Sequence, residues 1–364
     1  MADSKNGEVG GSIRARLPYV PIHKRPPLKL PGDARVAVWT IVNVENWSPT
    51  GAMPRAVLPP PMGQPLLPDV PNWAWHEYGM RVGFWRFLEA LGSRGLKATF
   101  AVNGTACTLY REACEAARDA GWEFMGHGFV QKPMHRVEDQ RAAVADTIAA
   151  IKEFTGKPPR GWESPGLTET DETLDLLAEA GIEYVADWVL DEQPVSLKTR
   201  AGEIVSVPYT VEINDVVISA VQQQPSDEIL RRGRDQFDRL YLDGAKAPRV
   251  MAISIHPYLT GVPHRIKYLE MLYDHKVLLR AIVLAFGNVG VAPVDVRSRQ
   301  IGLELDGLVI VLDSAVDLAH VAVGRSANAP GNGHVRRRCL SRLDDGIAAP
   351  KPQLRIGEGI AQCR

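Results

Sequence analysis

With 364 residues, 45% of them hydrophobic, the chain has enough apolar content to bury a large core, as one big α/β domain or one domain with extensions. Its 42 basic and 43 acidic side chains leave a formal net charge of −1, so no positive surplus points to nucleic acid or an anionic membrane. Four cysteines (Cys107, Cys114, Cys339 and Cys363) are too few for a disulfide framework and lack CxxC spacing for zinc, which fits a reducing, cytoplasmic setting.

In chain order, residues 1–33 are rich in Gly, Pro and basic residues and read as a flexible arm without the apolar stretch of a secretory signal. RVAVWTIV, residues 35–42, reads as a strand buried on both faces. Residues 47–75 hold many prolines and three tryptophans, Trp47, Trp73 and Trp75. They read as a long insertion without regular structure, either a wall or lid over a pocket or simple packing.

From residue 80 a regular alternation begins. RVGFWRFLEALGSRG reads as a helix stopping at Gly95, KATFAVNG as a strand, REACEAARDAG as a helix and WEFMGHGF as a strand. Residues 137–155 follow as a helix, then TLDLLAEAG and IEYVADW as helix and strand, IVSVPYT as a strand, SDEILRRGRDQFDRLYLDG as a helix and RVMAISI as a last strand. Such alternation predicts a parallel sheet with enough units for a barrel. YLEMLYDH starts another amphipathic helix, but residues 276–364 change character and are taken as a divergent C-terminal extension. Its most apolar window, Val277–Val294, is interrupted by Arg280, Gly287 and Gly290 and falls short of a membrane span.

Three short segments place ionisable residues directly after strand-like runs: Asn43-Val44-Glu45-Asn46, Gly126-His127-Gly128-Phe129 and Ser254-Ile255-His256-Pro257. An α/β fold presents its chemistry at the carboxyl ends of its strands, so one acid and two histidines there suggest a hydrolytic site. A dinucleotide GxGxxG, a phosphate-binding GxxxxGK[ST] and a GxSxG nucleophile elbow are all missing from the sequence.

Further motifs are Glu77-Tyr78-Gly79 before Arg81 and Gly83-Phe84-Trp85, Trp162-Glu163-Ser164-Pro165, Pro208-Tyr209-Thr210 with Asn214-Asp215, and His256-Pro257 followed by Gly261, Pro263 and Arg265. Together with the strand-end segments, they make residues 30–275 resemble the polysaccharide deacetylase (NodB-homology) superfamily, in its PuuE-type allantoinase branch. The resemblance implies an α/β fold, a deacetylase-type distorted (β/α) barrel over residues 34–275, with the extension at 276–364 atypical. It also implies hydrolysis of a non-peptide C–N bond, in a small-molecule or saccharide amide.

Carried over residue by residue, the resemblance makes His256 the general acid and Glu45 either a base or a metal ligand. The alternative for Glu45 is a structural salt bridge, for instance to Arg81 or Arg265. His127 matches the first histidine of a His-x-x-x-His metal motif, but Gln131 replaces the second, and Asn43 and Asn46 offer no further acid. Glutamine is a poor divalent-metal ligand. The expectation is therefore no cofactor, or a weakly held zinc-like metal on Glu45 and His127.

Glu163 stands where sugar deacetylases often carry an arginine. It is read as a replacement for that role, as a partner of a basic substrate or of Arg160, or as a solvated loop acid. Of Asp187 and Asp191, one is expected to orient His256, with Asp187 the choice. Trp162, Trp188, Tyr209 and Arg265 are candidates for binding substrate, although aromatics at strand ends also pack in cores. The rival reading is a ligand-binding barrel that has lost turnover, supported by Gln131, Asn46 and Asn43. No nucleic-acid or membrane partner is expected, and homo-oligomerisation is left open.

Overall fold

The run expected at 35–42 forms β1, Ala34–Val44, and its burial shows how the barrel is layered. Val36, Val38, Val42 and Val44 lie outward with Phe84, Phe87, Phe100 and Phe237, beneath the surrounding helices. Ala37, Trp39 and Ile41 lie inward with Ala101, Met125, Tyr184 and Val205. Strand side chains alternate between faces, so a strand buried on both sides reads as one apolar run while feeding two cores.

The computed structural model describes residues 13–275 and a strand at 308–312. After β1 come β2 (Thr99–Val102), β3 (Glu123–Gly126), β4 (Gly161–Trp162), β5 (Tyr184–Val185), β6 (Val195–Thr199), β7 (Gly202–Ser206), β8 (Arg249–Ile255) and β9 (Leu308–Leu312). The order is β6-β7-β5-β4-β3-β2-β1-β8, with β9 parallel to the start of β1. All other pairings are parallel except the β6–β7 hairpin. The sheet is a distorted half-barrel ringed by helices, as expected.

Beyond β8 the closure is made by loops rather than a ladder. Val250 N–H donates to the Glu192 carbonyl at 2.9 Å and Ala252 N–H to Thr210 Oγ1 at 3.0 Å, while Asn214 bridges Ser254. These contacts satisfy an edge that would otherwise stay unpaired.

Two segments differ from their reading in the sequence. Part of the N-terminal arm is fastened to the barrel, with Arg16 2.8 Å from Asp175 and Arg25 2.7 Å from Asp191. The proline-rich insertion contains a helix, Val70–Tyr78, begun by Asp69, whose side chain accepts from Asn72 N–H. Buried Asn72 in turn accepts from Val57 and Leu58 N–H at 2.8 and 3.0 Å, which fixes the insertion's path. Prolines hid this organisation because they break the periodicity on which the reading depended.

A π-helical turn, Gly79–Gly83, leads into the helix Phe84–Gly92. A Cβ at Gly83 would lie 2.1 Å from the Pro257 carbonyl oxygen, and one at Gly79 would lie 2.5 Å from Tyr258 N. Only glycine lets this helix lie against the turn that follows β8. Among the described residues no helix is long and apolar enough to cross a membrane. Cys107 and Cys114 are buried and free, while Cys339, Cys363 and most of the expected extension lie outside the described residues.

Candidate active site

Strand parity delivers the site. Continuing the inward face of β1 from Ile41 gives Asn43 and Glu45, and that of β8 from Val250 and Ala252 gives Ser254 and His256. Met125 of β3 leads likewise to His127, and Ala101 of β2 to Asn103. Glu45, His127 and His256 are 1%, 2% and 3% exposed and meet at the carboxyl ends of their strands.

Glu45 Oε1 lies 3.8 Å from His127 Nε2 and 3.7 Å from His256 Nε2, which are ion-pair rather than hydrogen-bond distances. Gln131 Nε2 donates to the same oxygen at 2.8 Å, and Arg55 Nη1 stands 3.6 Å from it. Trp47 Nε1 donates to Oε2 at 2.6 Å, with the Tyr258 hydroxyl at 3.5 Å. Burial pushes the Glu45 carboxyl upward, but Arg55, His127 and His256 outweigh it and hold the group well below the usual carboxylate range. The ion pair anticipated with Arg81 or Arg265 is made instead by Arg55. Arg81 is largely exposed beside Glu77, and Arg265 Nη1 donates to the Leu259 carbonyl at 3.3 Å. No contact ties Arg265 to the cavity.

The two histidines are held differently. His127 Nδ1 is 2.7 Å from the Glu163 carbonyl oxygen, which can only accept, so Nδ1 carries the proton and Nε2 faces Glu45. Burial disfavours a charged His127 ring, yet Glu45 and Glu163 more than compensate and raise its pKa. His256 Nδ1 donates to Asp215 Oδ1 at 2.7 Å, and its backbone N–H to Oδ2 at 2.8 Å. Thr260 Oγ1 also donates to Asp215 Oδ2 at 2.7 Å.

Asp215 therefore takes the orienting place expected for Asp187. Asp187 accepts from Ser164 N–H at 2.6 Å and adjoins Glu169, away from His256. Asp191 caps the backbone of Glu192 and Gln193 and pairs with Arg25. Both acids are engaged by their own neighbours, and His256 is held by Asp215.

Glu163 is 3% exposed, which excludes a solvated loop acid, and Arg160 is instead joined to Glu183 at 2.6 Å. Among the described residues Glu163 Oε2 has no hydrogen-bond partner, and burial chiefly pushes the carboxyl up to about 7. Trp162 sits on the outward parity of β4, packs with Leu174, Leu177 and Val185, and donates to Ser164. Trp188 donates to Glu169. Tyr209 is inward but buried, its hydroxyl donating to Ser254 Oγ at 2.7 Å. None of these aromatics lines the main cavity.

That cavity measures about 1210 Å³ and lies between the insertion and the segment 130–136. Trp47, Arg55 and Gln131, all bonded to or beside Glu45, form part of its lining, with Trp73 and His135 on its walls. Arg55 and Tyr258 were invisible as site residues in the sequence. Asp215 lay within a quoted motif, and Tyr258 two residues after His256, but neither carried a periodic signal.

Metal-dependent relatives of this fold imply a divalent ion here, and these residues do not fit one. An amide N–H points at Glu45 Oε1 and a guanidinium stands beside it, both occupying directions a metal would need. Among the described residues, no group of three His, Cys, Asp or Glu side chains is arranged to hold an ion.

The polysaccharide deacetylase family profile matches residues 76–185. A putative polysaccharide deacetylase of Schizosaccharomyces pombe (strain 972 / ATCC 24843) is 29% identical over 220 residues, covering 55% of this chain and 68% of that protein. Among solved structures, a probable polysaccharide deacetylase from Pseudomonas aeruginosa PAO1 aligns with 28% identity and a TM-score of 0.61, covering 69% of this chain and 88% of that one. PuuE allantoinase aligns with 26% identity and a TM-score of 0.60, covering 69% and 87%. Over residues 76–185 the chain matches the polysaccharide deacetylase family, and over about two thirds of its length it is similar in fold to a probable member and to PuuE allantoinase.

Proposed function

We propose that this barrel hydrolyses a non-peptide C–N bond, removing an N-acyl group or opening a cyclic amide. The observation that carries the reading is the alignment of Asp215, His256 and Glu45. Asp215 holds Nδ1–H of His256, so Nε2 is the ring atom left to accept a proton and pass it on, and it faces the Glu45 carboxylate 3.7 Å away.

In this reading Glu45 takes a proton from water, and the water oxygen bonds to the substrate carbonyl carbon. Glu45 passes that proton to His256 Nε2, and when the adduct collapses the C–N bond breaks, its electron pair stays on nitrogen, and His256 delivers the proton to it. The products are a carboxylic acid and an amine. His127, buried beside Glu45, positions the water. The cavity exceeds the usual small-ligand range of about 300–1000 Å³ only modestly, which suits a small amide or the end of a saccharide. Cytoplasmic residence belongs to the same reading.

The test is turnover of N-acetylated sugars and of allantoin, with and without chelator, by the wild type, Glu45→Gln and His256→Ala. Hydrolysis that survives both substitutions refutes the assignment. Tight binding of these compounds without turnover would support the ligand-binding barrel instead.

A further inference from the structure

The hydrolysis just described leaves one requirement unassigned, a group to receive the negative charge that forms on the carbonyl oxygen. We propose that Arg55 is a catalytic residue that binds the substrate carbonyl and stabilises its oxyanion. This rests on the hydrolase reading above.

Arg55 joins the cavity to the buried acid. Glu45, His127 and His256 do not line the cavity, whereas Arg55 does, with its side chain 20% exposed. Its Nη1 is 3.6 Å from Glu45 Oε1 and donates to the Tyr258 hydroxyl at 3.0 Å. A carbonyl attacked by water held at Glu45 has its oxygen within reach of this guanidinium. Both contacts use Nη1, and among the described residues Nε and Nη2 have no hydrogen-bond partner. The planar fork therefore keeps donors for a ligand oxygen.

Gln131, which also lines the cavity beside Glu45, cannot serve as well. Gln131 is neutral, and its amide donates to Glu45 while its carbonyl accepts from Asn103 at 3.2 Å. Arg55 is also held in advance. Two and three residues after it, Val57 and Leu58 are fastened to Asn72, and Trp47 at the insertion's start is bonded to Glu45. A donor fixed before reaction costs no reorganisation when charge develops.

The electron count is simple. As water oxygen bonds to carbon, the C=O π pair moves onto the carbonyl oxygen and the water proton onto Glu45. The negative charge thus leaves Glu45 and reappears on the oxyanion, and Arg55 faces it in both states. When the adduct collapses, the pair re-forms C=O and the C–N pair leaves with nitrogen, protonated by His256.

The experiment compares wild type, Arg55→Ala and Arg55→Lys for kcat and KM, with circular dichroism confirming the fold, and adds free guanidinium to the alanine variant. A second arm measures calorimetric binding of methylphosphonate, a tetrahedral oxyanion mimic. For Arg55→Ala we expect kcat to fall about 10²–10³-fold with KM changed less than about threefold, partial rescue by guanidinium, and phosphonate binding weakened at least about tenfold. A kcat within about threefold of wild type, a change confined to KM, or undiminished phosphonate binding overturns the proposal. If Arg55→Ala does not fold, the same thresholds apply to Arg55→Lys, which keeps charge but loses the fork. A wild type inactive on every amide defeats the hydrolase reading, while the phosphonate arm still decides whether Arg55 holds an oxyanion.

Discussion

Asp215 grips His256 at two points, accepting the ring Nδ1–H at 2.7 Å and the backbone N–H at 2.8 Å. One carboxylate thus fixes the tautomer and the position of the loop that carries it, across a separation of 41 residues. An acid that locks a histidine in this way acts through orientation rather than by taking the proton.

Asp215→Asn can present its amide to Nδ1 and so favour the wrong tautomer. A fall in kcat of about 10²–10⁴-fold is expected, with much less change in KM. Asp187→Asn keeps an acceptor for Ser164 N–H and should leave kcat within about threefold, because Asp187 does not touch His256. Steady-state kinetics of the two variants side by side decides which acid serves the histidine.

Glu45→Gln removes both the proposed base and the partner of a partly buried arginine. Activity should drop about 10²–10⁴-fold. Breaking one side of a buried ion pair typically costs about 3–5 kcal/mol, so the melting temperature should fall as well. Arg55 retains some solvent exposure, which places the expected loss at the lower end of that range. Thermal unfolding of the folded variant measures it.

Gly83→Ala tests how the turn after β8 is held. The added Cβ would meet the Pro257 carbonyl oxygen at 2.1 Å and must displace either the helix or the residue next to His256. Overpacking of this kind costs about 1–3 kcal/mol. Both melting temperature and kcat should fall, whereas Gly92→Ala, with open space around its Cβ, should leave both unchanged.

The pair Asp187 and Glu169 sets a pH dependence of stability. Burial chiefly pushes Asp187 up to about 7 and Glu169 up to about 9, with each carboxyl near the other. A carboxyl whose folded pKa is raised binds its proton more tightly in the folded state. The stability it provides is complete below the ordinary carboxylate pKa and is lost as pH climbs through the raised values. The melting temperature should therefore decline from about pH 5 to pH 9, by about 2–4 °C per kcal/mol for a domain of this size. Glu169→Gln should flatten that decline. A melting profile that rises over this window would contradict the assignment.

Chelation should leave hydrolysis unchanged, since Gln131 and Arg55 occupy the surroundings of Glu45 where an ion would bind. Activity assays with and without EDTA, alongside zinc analysis of the purified protein, measure this directly.

The sequence by itself determined the barrel and the strand ends that hold Glu45, His127 and His256. That information is local: apolar runs, helix stops at glycine, and alternation along a strand are written into neighbouring residues. Parity even separates Asn43, Glu45, Ser254 and His256 from the outward Trp162 once one inward residue on each strand is known. Tertiary structure alone decided which charges meet. Arg55 lies 10 positions and two prolines from Glu45, and Asp215 lies 41 from His256, with only distance in space to link them. Asp187 has the right chemistry for the task given to Asp215 and stands at a strand end too. What separates them is where each loop crosses the barrel mouth, because a hydrogen bond is decided by a few tenths of an ångström that no residue pattern encodes.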